Sequence, residues 1–178
     1  SAKAFMVRDG LFRDVDVALH WHPATVNSAS QGTTKANISG KFRFYGTSSH
    51  ASGAPDRGRS ALDAVEAMNA MANMMREHIP DGTRIHYVIT DGGEAPNVVP
   101  NYAESYYYVR HGDPEVVLSV MERLKKAAEG AALGTETRYE FQQIGGVYSM
   151  MPNGALMAVM DRNLHRVGGI SWTPEETA

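Results

Sequence analysis

Apolar residues recur along this chain with two different periods, and segments of the two kinds alternate. Four segments rich in β-branched and aromatic residues have a period of two, which predicts strands over residues 36–47, 84–90, 104–111 and 137–146. Between the first and second of these, residues 59–79 carry one apolar stripe at spacings of three and four, which predicts a helix. A second helix is predicted after the third strand, because Asp113 and Pro114 suit a first helical turn and Gly134 suits a helix end.

The resulting order of elements, strand–helix–strand–strand–helix–strand, predicts an α+β fold. It is the βαββαβ pattern of ferredoxin-like sandwiches, in which a four-stranded antiparallel sheet carries two helices on one face. The pattern accounts for residues 36–146 and leaves residues 1–35 and 147–178 outside it. We therefore expect one ferredoxin-like domain with a flank at each end.

The two flanks carry apolar patterns of their own. Val15–Leu19 predicts a buried strand, and residues 25–34 are small and polar, as is typical of a domain boundary. Asn153 is a suitable N-cap for a further helix, which Gly168 would end. The apolar positions of that helix are expected to face inward: Leu156, Val159, Met160, Leu164 and Val167. These patterns indicate pieces of a second unit.

Composition narrows the classes of function. The 178 residues are 43% hydrophobic and 21% charged with a net charge of −3, which is typical of a globular protein and argues against a nucleic-acid or anionic-membrane partner. The segment KFRFYG at 41–46 is similar to the aromatic strands of RNA-binding sheets, but the full basic–glycine–aromatic signature is missing. No apolar run reaches the roughly 18–20 residues of a membrane-spanning helix. Because cysteine is absent, disulfides and thiolate metal sites are excluded, and we expect a cytoplasmic protein.

Two histidines in the N-terminal flank are candidates for metal binding. His20 and His22 follow the predicted strand of that flank, and neutral imidazole is a common zinc ligand. The alternative is a histidine pair at the edge of a loop. One ligand makes no site in either case, since zinc takes about four.

Two further matches to metal-ligand spacings have simpler explanations. His111 and Asp113 have an H-x-D spacing, but Asp113 is already expected to cap a helix. Glu175 and Glu176 form an adjacent carboxylate pair of a kind that is common by chance. We do not assign a metal to either pair.

His50 lies in a loop in which nearly every neighbour is small. The segment GTSSHASGA at 46–54 would let a ligand or another backbone approach the imidazole. The alternative is a loop histidine without a role. A catalytic triad with Ser48 or Ser49 is not favoured, because the chain has no G-x-S-x-G elbow.

Asn97 and Arg110 are the remaining polar candidates. Asn97 begins the segment NVVP between the second and third strands, and Arg110 follows thirteen residues later near the end of the third strand. By the period of two, Tyr106, Tyr108 and Arg110 share one face of the sheet. An arginine beyond an aromatic face can bind a carboxylate with two hydrogen bonds, although a surface salt bridge is the alternative.

Together these segments resemble the dimerisation, or lid, domain of the dinuclear-zinc amidohydrolase and exopeptidase family. The segment SSHASGAPDRGRSALDAV at 48–65 is similar to the family's histidine signature, which lies between a strand and a helix. The segment NVVP at 97–100 and Arg110 match its second and third landmarks at the same spacing. The segment ALHWHP at 18–23 is similar to a catalytic-domain segment whose first histidine binds metal.

The resemblance implies a role for each candidate residue. His50 would stabilise the oxyanion of a tetrahedral intermediate, most simply in the active site of the partner subunit, and Asn97 would add a donor there. Arg110 would hold the free carboxylate of the substrate, and His20 would be one metal ligand. The implied full-length enzyme is a homodimer with two zinc ions per active site. Its implied substrate is a small N-acyl amino acid, of the kind cleaved by the branch that acts on p-aminobenzoyl-glutamate.

The rest of the family's zinc site has no match here in its proper context. A bridging carboxylate, a catalytic glutamate beside a ligand glutamate and a late histidine are all missing. We therefore expect residues 36–146 to form the lid domain and residues 1–35 and 147–178 to be flanks from the catalytic domain, with no hydrolysis by this chain alone. The alternative is a free-standing ferredoxin-like module that binds a ligand or only mediates association.

Overall fold

A computed structural model describes residues 2–29 and 32–177 of the chain. In chain order the helices and strands are α1 (Ala2–Arg8), β1 (Ala36–Tyr45), α2 (Ala61–Met75), β2 (Arg84–Asp91), β3 (Tyr102–His111), α3 (Pro114–Gly134), β4 (Arg138–Val147), α4 (Gly154–Val167) and α5 (Pro174–Thr177). They belong to two compact units, Thr34–Ser149 and a second unit of Ala2–Thr33 with the residues from Met150 onward. We call these the sheet unit and the terminal unit. No described helix combines the length and the apolar character needed to cross a membrane.

The sheet unit has the ferredoxin-like fold that the sequence predicts. Its strands form one sheet in the order β2-β3-β1-β4, and every neighbouring pair is antiparallel. The α2 helix connects β1 to β2, and α3 connects β3 to β4. Residues of both helices and of the sheet form one buried cluster. The prediction of an α+β βαββαβ sandwich is therefore confirmed.

Alternation along the strands decides which side chains enter this core. Phe42 and Phe44 of β1 and Tyr107 and Val109 of β3 are fully buried, and the Phe42 and Tyr107 rings meet edge to face at 5.4 Å between centroids. Burying a side chain such as Phe42 contributes about 1.5–3 kcal/mol. The helices complete the core with small and branched residues: Ala61, Ala64, Val65, Met68, Ala72, Val117, Val120, Met121, Leu124, Ala128 and Ala131.

The other face of the sheet, which we call the open face, carries polar side chains at the alternate positions. Glu104 lies there and is 6% exposed. Its carboxylate accepts hydrogen bonds from Lys41 Nζ at 2.6 Å, Arg43 Nε at 2.7 Å and Thr90 Oγ1 at 2.8 Å. Burial raises the pKa of Glu104, but these three donors outweigh it and lower the pKa to about 2. The network ties β1, β2 and β3 together across the sheet.

The α2 helix is shorter than the predicted range of residues 59–79. It begins after Ser60, whose Oγ accepts a hydrogen bond from the Asp63 N–H at 3.1 Å. After Met75 the chain continues as a 3₁₀ turn over Arg76–His78. The N-cap fixes the start of the helix, because a capping residue itself has non-helical backbone angles.

The prediction of a buried strand at Val15–Leu19 is wrong. These residues have no regular secondary structure, and Val15, Val17 and Leu19 are 45%, 47% and 63% exposed. A strand is stable only when its N–H and C=O groups pair with a neighbouring strand. The terminal unit contains no strand among its described residues, so this apolar run has no ladder to join.

The helix predicted after Asn153 is present, but its apolar stripe is not buried. Asn153 Oδ1 accepts a hydrogen bond from the Leu156 N–H, and α4 ends at Gly168 with a φ of 86°. Val159 and Val167, which were expected to face inward, are 45% and 85% exposed. None of the described residues of the terminal unit is buried.

Candidate functional site

The loop that follows β1 is held against the segment that precedes β3. Three backbone hydrogen bonds join them, from Gly46 N to Asn101 O, from Ala51 N to Asn97 O and from Val99 N to Ser49 O, at 2.9, 2.9 and 3.0 Å. The contact requires glycine at its base, since a Cβ on Gly46 would lie 1.9 Å from the backbone oxygen of Arg59. We call residues 46–54 the His50 loop. Its shape is fixed by backbone contacts.

The imidazole of His50 is exposed but held in one orientation. Its Nδ1 accepts hydrogen bonds from the Ser52 N–H at 3.2 Å and the Gly53 N–H at 3.0 Å. A ring nitrogen that accepts carries no proton, so the neutral ring has its proton on Nε2. No described residue pairs with Nε2. The small residues of the loop let backbone N–H groups reach Nδ1, and as a result His50 presents an outward N–H donor.

Asn97 is brought next to the His50 loop by the backbone. His50 and Val98 form an isolated antiparallel bridge, and the Asn97 carbonyl accepts from the Ala51 N–H. Asn97 is exposed, and its side chain makes no hydrogen bond to any described residue. His50 and Asn97 therefore lie at the same end of the sheet, with donor groups available on both.

Arg110 lies at the opposite end of the sheet. Along β1, Tyr45 pairs with Tyr102 near the His50 loop, whereas Asn37 pairs with Arg110. The eight residues of β3 from Tyr102 to Arg110 correspond to about 27 Å of extended strand. A single copy of this chain therefore cannot bring His50 and Arg110 onto one small molecule.

The predicted shared face of Tyr106, Tyr108 and Arg110 is confirmed. The two tyrosine rings lie 5.3 Å apart, and the Arg110 guanidinium lies 5.4 Å from the centre of the Tyr108 ring. The hydrogen bond between the two hydroxyls lowers the pKa of Tyr106 and raises that of Tyr108. Arg110 is thus supported on an aromatic surface with its guanidinium exposed.

Arg84 is a neighbour of Arg110 that the sequence analysis missed. It lies directly opposite Arg110 in the β2–β3 ladder, on the same open face. The signal was present, because the two strands are consecutive and antiparallel, so the first residue of one must approach the end of the other. Fixing the register, however, required the structure.

His20 does not lie in a metal site within the described residues. It is exposed, and its Nε2 lies 3.1 Å from the sulfur of Met150. The His22 ring contacts the Pro23 carbonyl at 2.9 Å. Over residues 2–29 and 32–177 no three His, Asp or Glu side chains are grouped so that they could hold a metal ion. The residues present do not fit a two-zinc centre, and the assignment of His20 as a ligand stays a prediction.

The two discounted carboxylate motifs have structural roles. Asp113 Oδ1 accepts from the Glu115 N–H at 2.9 Å, which makes Asp113 the N-cap of α3. The ring of His111 accepts from the Asp113 N–H at 2.9 Å. In the terminal unit, Glu176 and Thr173 hydrogen-bond to each other's backbone N–H as a capping box.

Comparison with known proteins identifies the sheet unit. The family described as the peptidase dimerisation domain matches residues 33–136, more than half of the chain. A p-aminobenzoyl-glutamate hydrolase chain of Escherichia coli K12 is 44% identical over 100% of this chain and 37% of its own length. The human Xaa-Arg dipeptidase is 28% identical over 98% of this chain and 40% of its own length.

A solved structure with a similar fold has a related description. The aminobenzoyl-glutamate utilisation protein from Klebsiella pneumoniae superposes with a TM-score of 0.62 and 26% identity, over 78% of this chain and 35% of that chain. The chain thus spans well under half the length of the relatives that it matches.

Proposed function

Because this chain belongs to the peptidase dimerisation domain family, we propose that it is the dimerisation (lid) domain, with flanks, of a longer metal-dependent amidohydrolase. The parent enzyme would cleave the amide bond of an N-acyl amino acid such as p-aminobenzoyl-glutamate, as the name of the relative from Escherichia coli suggests. The observation that carries the proposal is the exposed Nε2–H of His50, which two backbone hydrogen bonds hold in place. A preorganised donor of this kind suits the oxyanion of acyl transfer.

The dimer would form through the edge of β2. Of the two edge strands, β4 carries a bulge between Ser39 and Gly40 of its partner strand, and bulges discourage further pairing. The β2 edge exposes Val88 and Ile89, which are 57% and 44% exposed. A two-fold axis through β2 would join two four-stranded sheets into one continuous antiparallel sheet.

This arrangement explains why one chain separates its candidate residues. Antiparallel pairing of β2 with β2 of a second copy sets the start of one strand beside the end of the other. The start of β2 lies next to Arg110, and its end leads into the segment that holds the His50 loop. Each end of the joined sheet would therefore combine Arg110 of one copy with His50 and Asn97 of the other.

The roles follow from the chemistry of these side chains. Nε2–H of His50 and the amide of Asn97 would donate to the oxyanion that forms at the scissile carbonyl. The guanidinium of Arg110 would hold the free carboxylate of the substrate with two hydrogen bonds. Because the donors come from one subunit and Arg110 from the other, the homodimer is the active form.

The metal centre of the parent enzyme would lie mainly outside this chain. The resemblance implies two zinc ions, to which this chain contributes at most His20. When bound, such ions activate water and polarise a carbonyl oxygen. Residues 1–35 and 147–178 would belong to the catalytic domain of a cytoplasmic enzyme, where the exposed side chains of Trp21 and Met151 would become buried.

Complementation between two inactive variants tests the shared site. In the full-length enzyme, we expect His50→Ala and Arg110→Ala each to lower kcat/KM by about two to three orders of magnitude. When the two variants are mixed and allowed to exchange subunits, each heterodimer regains one intact site, and activity should return to about a quarter of the wild-type value. A mixture that remains as inactive as its components would show that each site draws both residues from one subunit.

Lysine substitutions at the two edges test the interface. Val88→Lys places a charge on the β2 edge, and we expect the dimer to dissociate at concentrations at least about tenfold higher than for the wild type. Val147→Lys places the same charge on the β4 edge and serves as the matched control. Sedimentation of both variants distinguishes the edges, and a larger effect of Val147→Lys would assign the dimer to β4.

A further inference from the structure

Two arginines face each other across neighbouring strands at one end of the open face. Arg84 and Arg110 are directly opposite in the β2–β3 ladder, so their Cα atoms are about 5 Å apart. Ile85, next to Arg84, is 3% exposed, which puts Arg84 on the face opposite the core and hence on the same side as Arg110. Like charges placed directly opposite each other are destabilising.

The charge of this pair is not compensated by any described residue. Neither arginine forms an ion pair within residues 2–29 and 32–177; Arg84 donates to the Thr83 carbonyl at 2.8 Å, and Arg110 rests on Tyr108. The buried carboxylate of this face, Glu104, lies six residues away along β3 and already has three donors.

The remaining neighbours offer hydrogen bonds rather than negative charge. Asn37 is opposite Arg110 on its other side, in β1. One row further along, His86 and Ser39 flank Tyr108. The nearby carboxylate of Asp113 is occupied at the start of α3, where it accepts from the Glu115 N–H. Two guanidinium groups thus converge on a polar surface that supplies no anion of its own.

We propose that Arg84 and Arg110 together bind a ligand with two carboxylates, and that Arg84 is the residue that selects an acidic amino acid. This inference rests on the proposed function, in which Arg110 holds the α-carboxylate of an N-acyl amino acid. Arg84 then binds the side-chain carboxylate of a glutamyl or aspartyl group, which only a short carbon chain separates from the α-carboxylate. Substrates with a neutral side chain leave Arg84 without a partner and are bound more weakly.

Two substrates that differ in one group test this assignment in the full-length enzyme. N-(p-aminobenzoyl)-glutamate carries the second carboxylate, and N-(p-aminobenzoyl)-glutamine replaces it with a neutral amide of the same shape. For Arg84→Gln we expect kcat/KM to fall about 10- to 100-fold on the glutamate substrate, mainly through KM, and to change less than about twofold on the glutamine substrate. Arg84→Lys should restore part of the preference.

Two further variants separate the possible causes. Lys126→Gln removes one positive charge from an exposed position on α3 and should leave both substrates unaffected, which controls for the overall field of the protein. Arg110→Gln should lower kcat/KM on both substrates, because both carry the α-carboxylate. If Arg110→Gln changes neither, the proposed function itself fails.

The role of Arg84 would be overturned by either of two results. Equal losses on the glutamate and glutamine substrates would show that Arg84 does not recognise the second carboxylate. Unchanged preference together with a weaker dimer in sedimentation would show that Arg84, at the β2 edge, pairs with the second subunit instead of the substrate.

Discussion

The sheet unit and the terminal unit have similar apolar patterns but opposite degrees of burial. In the sheet unit, Phe42, Tyr107 and Leu124 are inaccessible to solvent. In the terminal unit no described residue is buried, although Trp21 is 83% exposed and Val167 is 85% exposed. An apolar stripe becomes a core only where a second layer lies against it. The sheet supplies that layer for α2 and α3, and the described terminal residues supply none for α4.

The largest expected effect comes from deleting a core side chain. Phe42 packs against Tyr107 and Phe141, with ring centroids 5.4 and 4.9 Å away, so Phe42→Ala leaves a cavity between the sheet and the helices. We expect the free energy of unfolding of the chain to fall by about 3–5 kcal/mol, measured by denaturant titration.

The matched change in the terminal unit is Trp21→Ala. It removes a larger side chain, but one that contacts mainly water, so we expect a change within about 0.5 kcal/mol. A cost for Trp21→Ala that approaches that of Phe42→Ala would mean that the terminal unit has a core after all.

A smaller effect is expected from the paired carboxylate of the sheet unit. The pKa of Glu104 is lowered from its ordinary value of 4.5 to about 2 by the donors around it. A lowered pKa contributes stability that is fully present above pH 4.5 and is lost as the pH falls towards 2. The contribution at neutral pH is about 3 kcal/mol.

Unfolding titrations between pH 6 and pH 2 measure this contribution. Glu104→Gln should lower stability at pH 6 and reduce its further loss below about pH 4.5. Glu176→Gln in the terminal unit removes a carboxylate that only caps a four-residue helix, and it should leave the pH profile of unfolding unchanged. A Glu104→Gln variant that keeps the wild-type acid profile would assign the acid sensitivity to other carboxylates.

The sequence predicts the sheet unit well because all its signals are local. The alternation in β1 and β3 and the caps at Ser60 and Asp113 each involve residues close in the chain, and they agree with one another. The Val15–Leu19 prediction failed because a strand depends on a partner that periodicity does not reveal. The short α1 and α5 helices, which bury nothing, gave no apolar signal and were not predicted.

The candidate site was predictable as a set of residues but not as an arrangement. The chemistry of His50, Asn97 and Arg110 could be proposed from residue type and spacing. Their distribution over opposite ends of the sheet depends on strand order, which spacing does not encode. The opposition of Arg84 and Arg110 depends on register, since a shift of one residue would turn Arg84 towards the core.

The smallest expected effect separates the two units through their helix caps. Asp113 caps α3 through the Glu115 N–H, and Asn153 caps α4 through the Leu156 N–H, with bonds of 2.9 and 3.1 Å. Asp113→Ala should lower the free energy of unfolding by about 1 kcal/mol, because α3 is part of the cooperative core.

Asn153→Ala removes a similar bond from a helix without buried residues. Because fraying of such a helix is uncoupled from global unfolding, we expect the unfolding midpoint to stay within error while amide hydrogen exchange in α4 speeds up. Hydrogen exchange read residue by residue therefore measures both caps in one experiment. Equal shifts of the unfolding midpoint for the two variants would mean that α4 folds cooperatively with the sheet, and the contrast between the two units would then lie in exposure alone.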